Sequence, residues 1–198
     1  MKRVLPQYIP VLIRNICGTS SVCNNAIWAA GEIAEQVGPE IAPYALQLLE
    51  VIVPLQILEQ DEYHKKQWNR NFFENVAITI GRLCFACPEQ VAPHLEKFVG
   101  KWCLALCSLR DRNAEKATAF RGLCAVTKLN AAVILKFFIL FCNAIANYHT
   151  PPPEIAQEIK FILDGMKNSM GQELWQKYFY CDQMPTDLRA TLQQRYQI

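Results

Sequence analysis

Cysteine is the residue whose spacing most resembles reactive chemistry in this chain. Cys84-x-x-Cys87 followed by Cys103-x-x-x-Cys107 places four thiols at nearly the spacing of a zinc ribbon. Tetrahedral closure around zinc needs turns that aim paired sulfurs at one ion. Phe85-Ala86 is not a turn-forming pair. Cys87 falls on an apolar helical stripe with Cys84 beside it, and Cys103 and Cys107 share a helical period with Phe98, Val99, Trp102 and Leu106. These thiols read as small buried hydrophobes, and no metal is expected. All three histidines, His64, His94 and His149, stand near predicted helix breaks, where a solvated or capping role is expected. No Ser-His-Asp set, Gly-x-Ser-x-Gly motif or phosphate loop occurs. Glu32 and Glu35 share a helix face and read as solvated groups or as contacts for a cationic ligand. Neither a catalytic residue nor a cofactor is expected.

The elements that must carry these residues are helical. The chain has 198 residues, 52% of them hydrophobic and 19% charged, enough to build a core. Net charge is +2, from 20 Lys+Arg against 18 Asp+Glu, so nothing suggests nucleic-acid binding. The two most apolar stretches, 41–58 and 131–146, contain Glu50, Pro43 and Pro54 in the first and Lys136 in the second. No membrane span is expected. The basic, apolar opening is interrupted by Pro6, Pro10 and Arg14, against a signal peptide. Nine scattered cysteines suit a reducing compartment.

Apolar positions recur with helical period throughout, and no stretch alternates long enough for a strand. Breaks at 18–21, 38–40, 60–70, 88–90, 110–114, 129–131, 150–153, 171 and 183–185 divide the chain into about ten helices of ordinary length. An internal repeat is visible. Asn25-Ala-Ile-Trp-Ala-Ala-Gly31 aligns with Asn75-Val-Ala-Ile-Thr-Ile-Gly81, and Lys116-Ala-Thr-Ala-Phe-Arg-Gly122 continues the series. Gly165 would mark a fourth copy, so the glycines fall 41 to 50 residues apart. A period of about 40–47 residues with two helices per unit is the mark of HEAT or armadillo solenoids. The expected fold is all-α, a HEAT-repeat α-solenoid of about five antiparallel helix pairs, with residues 1–198 as a single array. Residues 60–70 form a charged inter-helix insertion carrying Lys65, Lys66 and Arg70. A glycine inside a helix costs about 1 kcal/mol, so its recurrence predicts close approach of a neighbouring helix.

Helical-wheel placement predicts Val22, Ala26, Ala29, Ile33 and Val37 as the core stripe of the first repeated helix, with Ala30 beside it. Trp28 lies opposite, among Ser21, Asn24, Gly31, Glu32 and Glu35. In the second unit Phe72, Val76, Thr79, Ile80, Leu83 and Cys87 form the stripe, and Ile78, equivalent to Trp28, lies opposite with Asn71, Glu74, Arg82 and Phe85. Two such residues on polar faces of stacked helices would make one exposed patch, a feature of binding sites. Packing on both flanks of a solenoid helix would instead bury them.

The segments 22–33, 74–83, 88–93 and 119–122 closely resemble the C-terminal HEAT repeats of the transportins, nuclear import receptors of the importin-β superfamily. The likeness runs from about Val22 to the end, through Trp175 and Leu188 to Tyr196. It implies a non-catalytic receptor whose concave inner-helix face holds cargo proteins through a proline-tyrosine-type nuclear localisation signal. On that resemblance Trp28 and Ile78 take an apolar part of the signal, while Asn24, Asn25, Glu74 and Asn75 bond its backbone or basic side chains. It also implies residence in cytoplasm and nucleus with transit through the pore. Ran-GTP would act only in a full-length receptor, because the amino-terminal repeats that bind it have no counterpart here. The chain therefore reads as a fragment, a truncated gene product or a partial gene model, and the rival expectation is a HEAT scaffold or truncated product that no longer binds cargo. A further expectation concerns the first helix, where Tyr8, Ile9, Leu12, Ile13 and Ile16 would leave an uncovered apolar face prone to self-association.

Overall fold

Helices make up all the regular structure of the computed structural model, which describes residues 4–57, 70–110 and 113–198. Eleven α-helices follow one another among those residues: α1 (Leu5–Ile16), α2 (Ser20–Val37), α3 (Ala42–Ile52), α4 (Arg70–Ala86), α5 (Pro88–Val91), α6 (Val99–Cys107), α7 (Asn113–Leu129), α8 (Ala131–Lys136), α9 (Phe138–Ala146), α10 (Pro153–Phe179) and α11 (Thr186–Tyr196). Three 3-10 segments, Gly38–Ile41, Val53–Ile57 and Ala92–Lys97, join them. Proline marks several starts: Pro6, Pro43, Pro88 and Pro153 sit in the first turn of α1, α3, α5 and α10. There a missing N–H forfeits no helical hydrogen bond.

The helices stack in two layers. One is the succession α2, α4, α7, α10, each packed on the next. The other runs α1, α3, α5 with α6, α8 with α9, then α11. This is the HEAT-repeat solenoid expected from the period, and one hydrophobic core extends from Leu5 to Tyr196. Cations close several helix ends, where carbonyls lack intrahelical partners. Arg195 Nη1 donates to the carbonyls of Ile145, Ala146 and Tyr148 at 3.2, 2.9 and 2.8 Å. Lys160 Nζ caps α11 at the Tyr196 carbonyl, 2.9 Å away.

Three of the four repeated glycines stand where helices touch. A methyl group on Gly31 would lie 2.7 Å from Thr79 Oγ1, one on Gly81 would lie 2.4 Å from the Ala119 Cα, and one on Gly122 would lie 2.0 Å from the Gly81 carbonyl oxygen. Such distances admit no Cβ, so α4 and α7 meet backbone to backbone. Gly165 departs from the series: it is exposed, with no atom within 4 Å of the position a methyl would take. The fourth copy lacks this crossing. Gly171 does break α10, with φ 72° and ψ 167°, a conformation that disfavours any residue bearing a Cβ.

Other expectations are corrected. The buried stripe of α2 is Cys23, Ala26, Ile27, Ala30 and Ala34, with Val22 exposed and Ala29, Ile33 and Val37 only half-buried. The true core face is rotated by about a quarter turn, because α2 rests on both α1 and α4 and their joint direction sets the burial. The apolar run after Ala131 holds an unexpected break at Phe137, which separates α8 from α9. The first helix is better covered than expected. Ile9, Leu12 and Ile16 are buried with Leu5 against α2 and α3, Ile13 is half-buried, and Val4, Tyr8 and Val11 form the exposed remainder. Of the insertion, Arg70 opens α4, and the residues before it, Lys65 and Lys66 included, lie outside the described residues.

Candidate functional site

The residues singled out for binding sit where α2 and α4 lie side by side. Trp28 is 47% exposed on α2, among exposed Ser21, Asn25 and Glu35. Two hydrogen bonds tie the helices together beneath it. Asn75 Nδ2 donates to Asn24 Oδ1 at 3.0 Å, and the Thr79 hydroxyl donates to the Ile27 carbonyl at 3.0 Å. Thr79 can reach that carbonyl because Gly31 leaves its path open.

Arg82 uses the same gap. Its Cδ and Nη1 pass 3.2 and 3.3 Å from the position of a methyl on Gly31. The guanidinium then meets two carboxylates of α2: Nη1 lies 2.6 Å from Glu32 Oε1, and Nε lies 2.8 Å from Glu35 Oε2. The Nε contact is an ion pair in distance without hydrogen-bond alignment. With its side chain only 6% exposed, Arg82 is a buried cation that needs such counter-charges.

Glu74 is held in the opposite sense, one carboxylate among two arginines. Arg110 grips it with Nε at 2.8 Å from Oε1 and Nη2 at 2.7 Å from Oε2, and Arg70 Nε stands 3.1 Å from Oε1. Arg110 Nη2 also donates to Asn71 Oδ1, and Arg70 Nη2 to the Ser108 carbonyl. Burial pushes the Glu74 carboxyl pKa upward, but the hydrogen bonds and charge of Arg110, with the hydrogen bond from Arg70, outweigh it and hold the pKa below its ordinary value.

Two outcomes differ from the exposed patch expected on the wheel. Ile78 presents only 7% of its surface, and Glu74 is buried. The cause is position in the layer: α4 is packed by α2 on one side and α7 on the other, with α3 and α6 behind. The large apolar side chain that α4 does expose is Phe85, two turns beyond Ile78. In the third unit, Ala119, which stands where Trp28 and Ile78 do, is fully buried, and Arg121 reaches Glu154 of α10 at 3.0 Å.

Comparison with known proteins gives this geometry a lineage. No family model matches the chain. Transportin-1 of Homo sapiens and of Mus musculus are each 37% identical to it over 193 residues, 97% of this chain and 20% of theirs. Transportin of Dictyostelium discoideum is 31% identical over the whole chain, again 20% of its own length. The chain is a transportin-like member of the importin-β family. It spans about a fifth of the length of these curated relatives. The match also takes in most of the N-terminal stretch before Val22, beyond the motifs that carry the resemblance.

In this transportin-like chain three of the four thiols of the zinc-like spacing, Cys84, Cys87 and Cys103, are buried, and Cys107 is half-buried. The Cys87 thiol donates to the Leu83 carbonyl at 3.1 Å, and Cys107 to the Cys103 carbonyl at 3.2 Å. Burial pushes the pKa of Cys87 up to about 11 and raises those of Cys84 and Cys103 further from their ordinary range, so these groups stay protonated rather than nucleophilic. Among the described residues no three His, Cys, Asp or Glu side chains are grouped as for a metal ion, and no helix is long and apolar enough to cross a membrane. The residues that sequence reasoning left unassigned are Thr79, Arg82 and Arg110. Arg82 carried a signal, lying one residue after the repeated glycine on the face opposite the stripe. Arg110 carried none, since it meets Glu74 across 36 positions of chain.

Proposed function

We propose that this transportin-like chain is a non-catalytic receptor segment whose α2–α4 face takes an extended cargo peptide, with Trp28 as the apolar anchor. The observation that carries the reading is Trp28 itself, half exposed on a polar helix face where a folded chain gains nothing by displaying an indole. Tryptophans so placed are frequent interface hot spots. Asn25 stands free at the surface to bond a peptide backbone, Asn24 and Asn75 border the anchor, and Ile78 offers a narrow apolar edge. Glu74 acts through its arginines rather than as an open carboxylate.

The family likeness supports cargo proteins with proline-tyrosine-type nuclear localisation signals as the partner class, cytoplasm and nucleus as the location, and residues 1–198 as one array. In a full-length receptor Ran-GTP would discharge the cargo; its amino-terminal site has no counterpart in this segment. The near burial of Ile78 favours a second reading, a HEAT scaffold without cargo.

Titration calorimetry of the chain with a proline-tyrosine signal peptide, for wild type and Trp28→Ala, separates the two. Weak binding is expected, lowered about 30-fold by the substitution, which corresponds to a loss of about 2 kcal/mol. Helical content should be unchanged. A folded variant with unaltered peptide affinity would favour the scaffold.

A further inference from the structure

The carboxylates of the α2–α4 face are already ion-paired. Glu32 and Glu35 share Arg82, and Glu74 is shared by Arg110 and Arg70. Each carboxylate of the face is thus already ion-paired, two of them with one buried arginine beside the tryptophan and the third with two arginines, although the sequence, with Glu32 and Glu35 on the helix of an exposed tryptophan, looks suited to basic ligands. The pairing is built into the packing. Arg82 is almost wholly buried, crosses from α4 to α2 over Gly31, and fits only because that residue lacks a side chain. An arginine held this way cannot leave for solvent without abandoning its packing, so it is a fixed counter-ion rather than a mobile one.

We propose that Arg82 is a specificity-determining residue of the Trp28 face: by holding Glu32 and Glu35 in an internal ion triad, it withholds them from a basic peptide. This inference rests on the peptide-binding reading above. A ligand lysine or arginine arriving beside Trp28 must compete with a guanidinium already 2.6 and 2.8 Å from the two carboxylates. It would gain little Coulomb energy while still losing hydration. The segment selected at this position is therefore set by its apolar fit to Trp28, with positive charge conferring no advantage. Arg110 applies the same constraint to Glu74 from the far end of α4.

The test uses two synthetic extended peptides of one apolar sequence, differing only in three flanking positions that are Gln in the first and Arg in the second. Calorimetry is run on the whole chain at about 50 and about 200 mM salt, a range over which exposed-charge attraction is strongly screened. The wild type should bind both peptides within about twofold of each other, with little salt dependence. Arg82→Gln should shift the ratio toward the Arg peptide by about three- to fivefold at low salt, and the shift should shrink at high salt. A wild type that already prefers the Arg peptide about tenfold in a salt-sensitive manner, or a ratio that Arg82→Gln leaves unmoved, would overturn the proposal. Should Arg82→Gln fail to fold, the double variant Glu32→Gln, Glu35→Gln reads the same triad from its exposed side. It leaves Arg82 unopposed, so a Glu version of the peptide should gain about threefold over the Gln one, and equal binding would sink the idea. Failure of the underlying reading looks different: wild type then binds none of the peptides, or binds them with no loss in Trp28→Ala.

Discussion

Gly122 rests on the backbone of Gly81: a methyl group at residue 122 would stand 2.0 Å from the Gly81 carbonyl oxygen. No rotamer change relieves such an overlap, because the obstruction is the neighbouring helix itself. Together with the approach of Gly81 to Ala119, this contact sets how closely α4 and α7 cross, and hence how the third repeat sits against the second.

Gly122→Ala should therefore force the two helices apart and destabilise the chain by about 1–3 kcal/mol, despite the better helix propensity of alanine. Gly165→Ala is the control. That glycine has helical backbone and open space around it, so the substitution should stabilise by about 0.5–1 kcal/mol. Urea denaturation followed by circular dichroism reads both, and shifts of the same sign would refute the close-crossing account.

The two tryptophans Trp28 and Trp102 should part company in stability. Trp102 is fully buried, and its Nε1 donates to the Ala77 carbonyl at 3.0 Å. Trp102→Ala should cost about 3–5 kcal/mol. Trp28→Ala removes a half-exposed ring and should stay within about 1 kcal/mol of wild type. Thermal melts of the two variants in parallel make the comparison, and a collapse of Trp28→Ala would mean that this ring is a packing element.

Glu74 should leave a signature at acid pH. Its folded-state pKa lies below the ordinary 4.5, since the pull of Arg110 and Arg70 exceeds the opposing effect of burial. A depressed carboxylate pKa stabilises the fold above the unfolded pKa, and that contribution is lost as pH falls through the folded value. Glu74→Gln should accordingly lower the melting temperature at pH 7, and the gap from wild type should narrow below about pH 4. A gap that is constant across the acid range would exclude the ion pairs as its source.

Thiol labelling should follow burial rather than the spacing of the cysteines. Cys17 is exposed, Cys107 and Cys181 are intermediate, and the other six are buried. A thiol-specific reagent at pH 8 should modify Cys17 first and Cys181 and Cys107 more slowly, leaving Cys23, Cys84, Cys87, Cys103, Cys124 and Cys142 unmodified until denaturant is added. Mass spectrometry of the digested chain assigns the sites. Rapid modification of Cys84 or Cys103 in the native protein would contradict the packing.

Much of the architecture was legible in the residues alone. Helical period, the breaks between helices and glycine at 31, 81 and 122 specify a stack of short helices with repeated close contacts, because each acts locally or through the volume of one missing side chain. What the sequence could not determine was which way each helix faces. The wheel placed the core of α2 on Val22 and Ile33 and left Ile78 open, whereas burial on Cys23, Ile27 and Ala34 and the enclosure of Ile78 follow from having neighbours on both flanks. Charge was decided the same way. Glu74 has a local partner in Arg70 one turn before it, but only the crossing of α4 over Gly31 brings Arg82 to Glu32 and Glu35, and only the return of the chain brings Arg110 to Glu74. Local propensity acts through the nearest few residues, but the contacts of Arg82, Arg110 and Asn24 that bind the helices to one another depend on partners 36 to 51 positions away, which only the folded stack brings together.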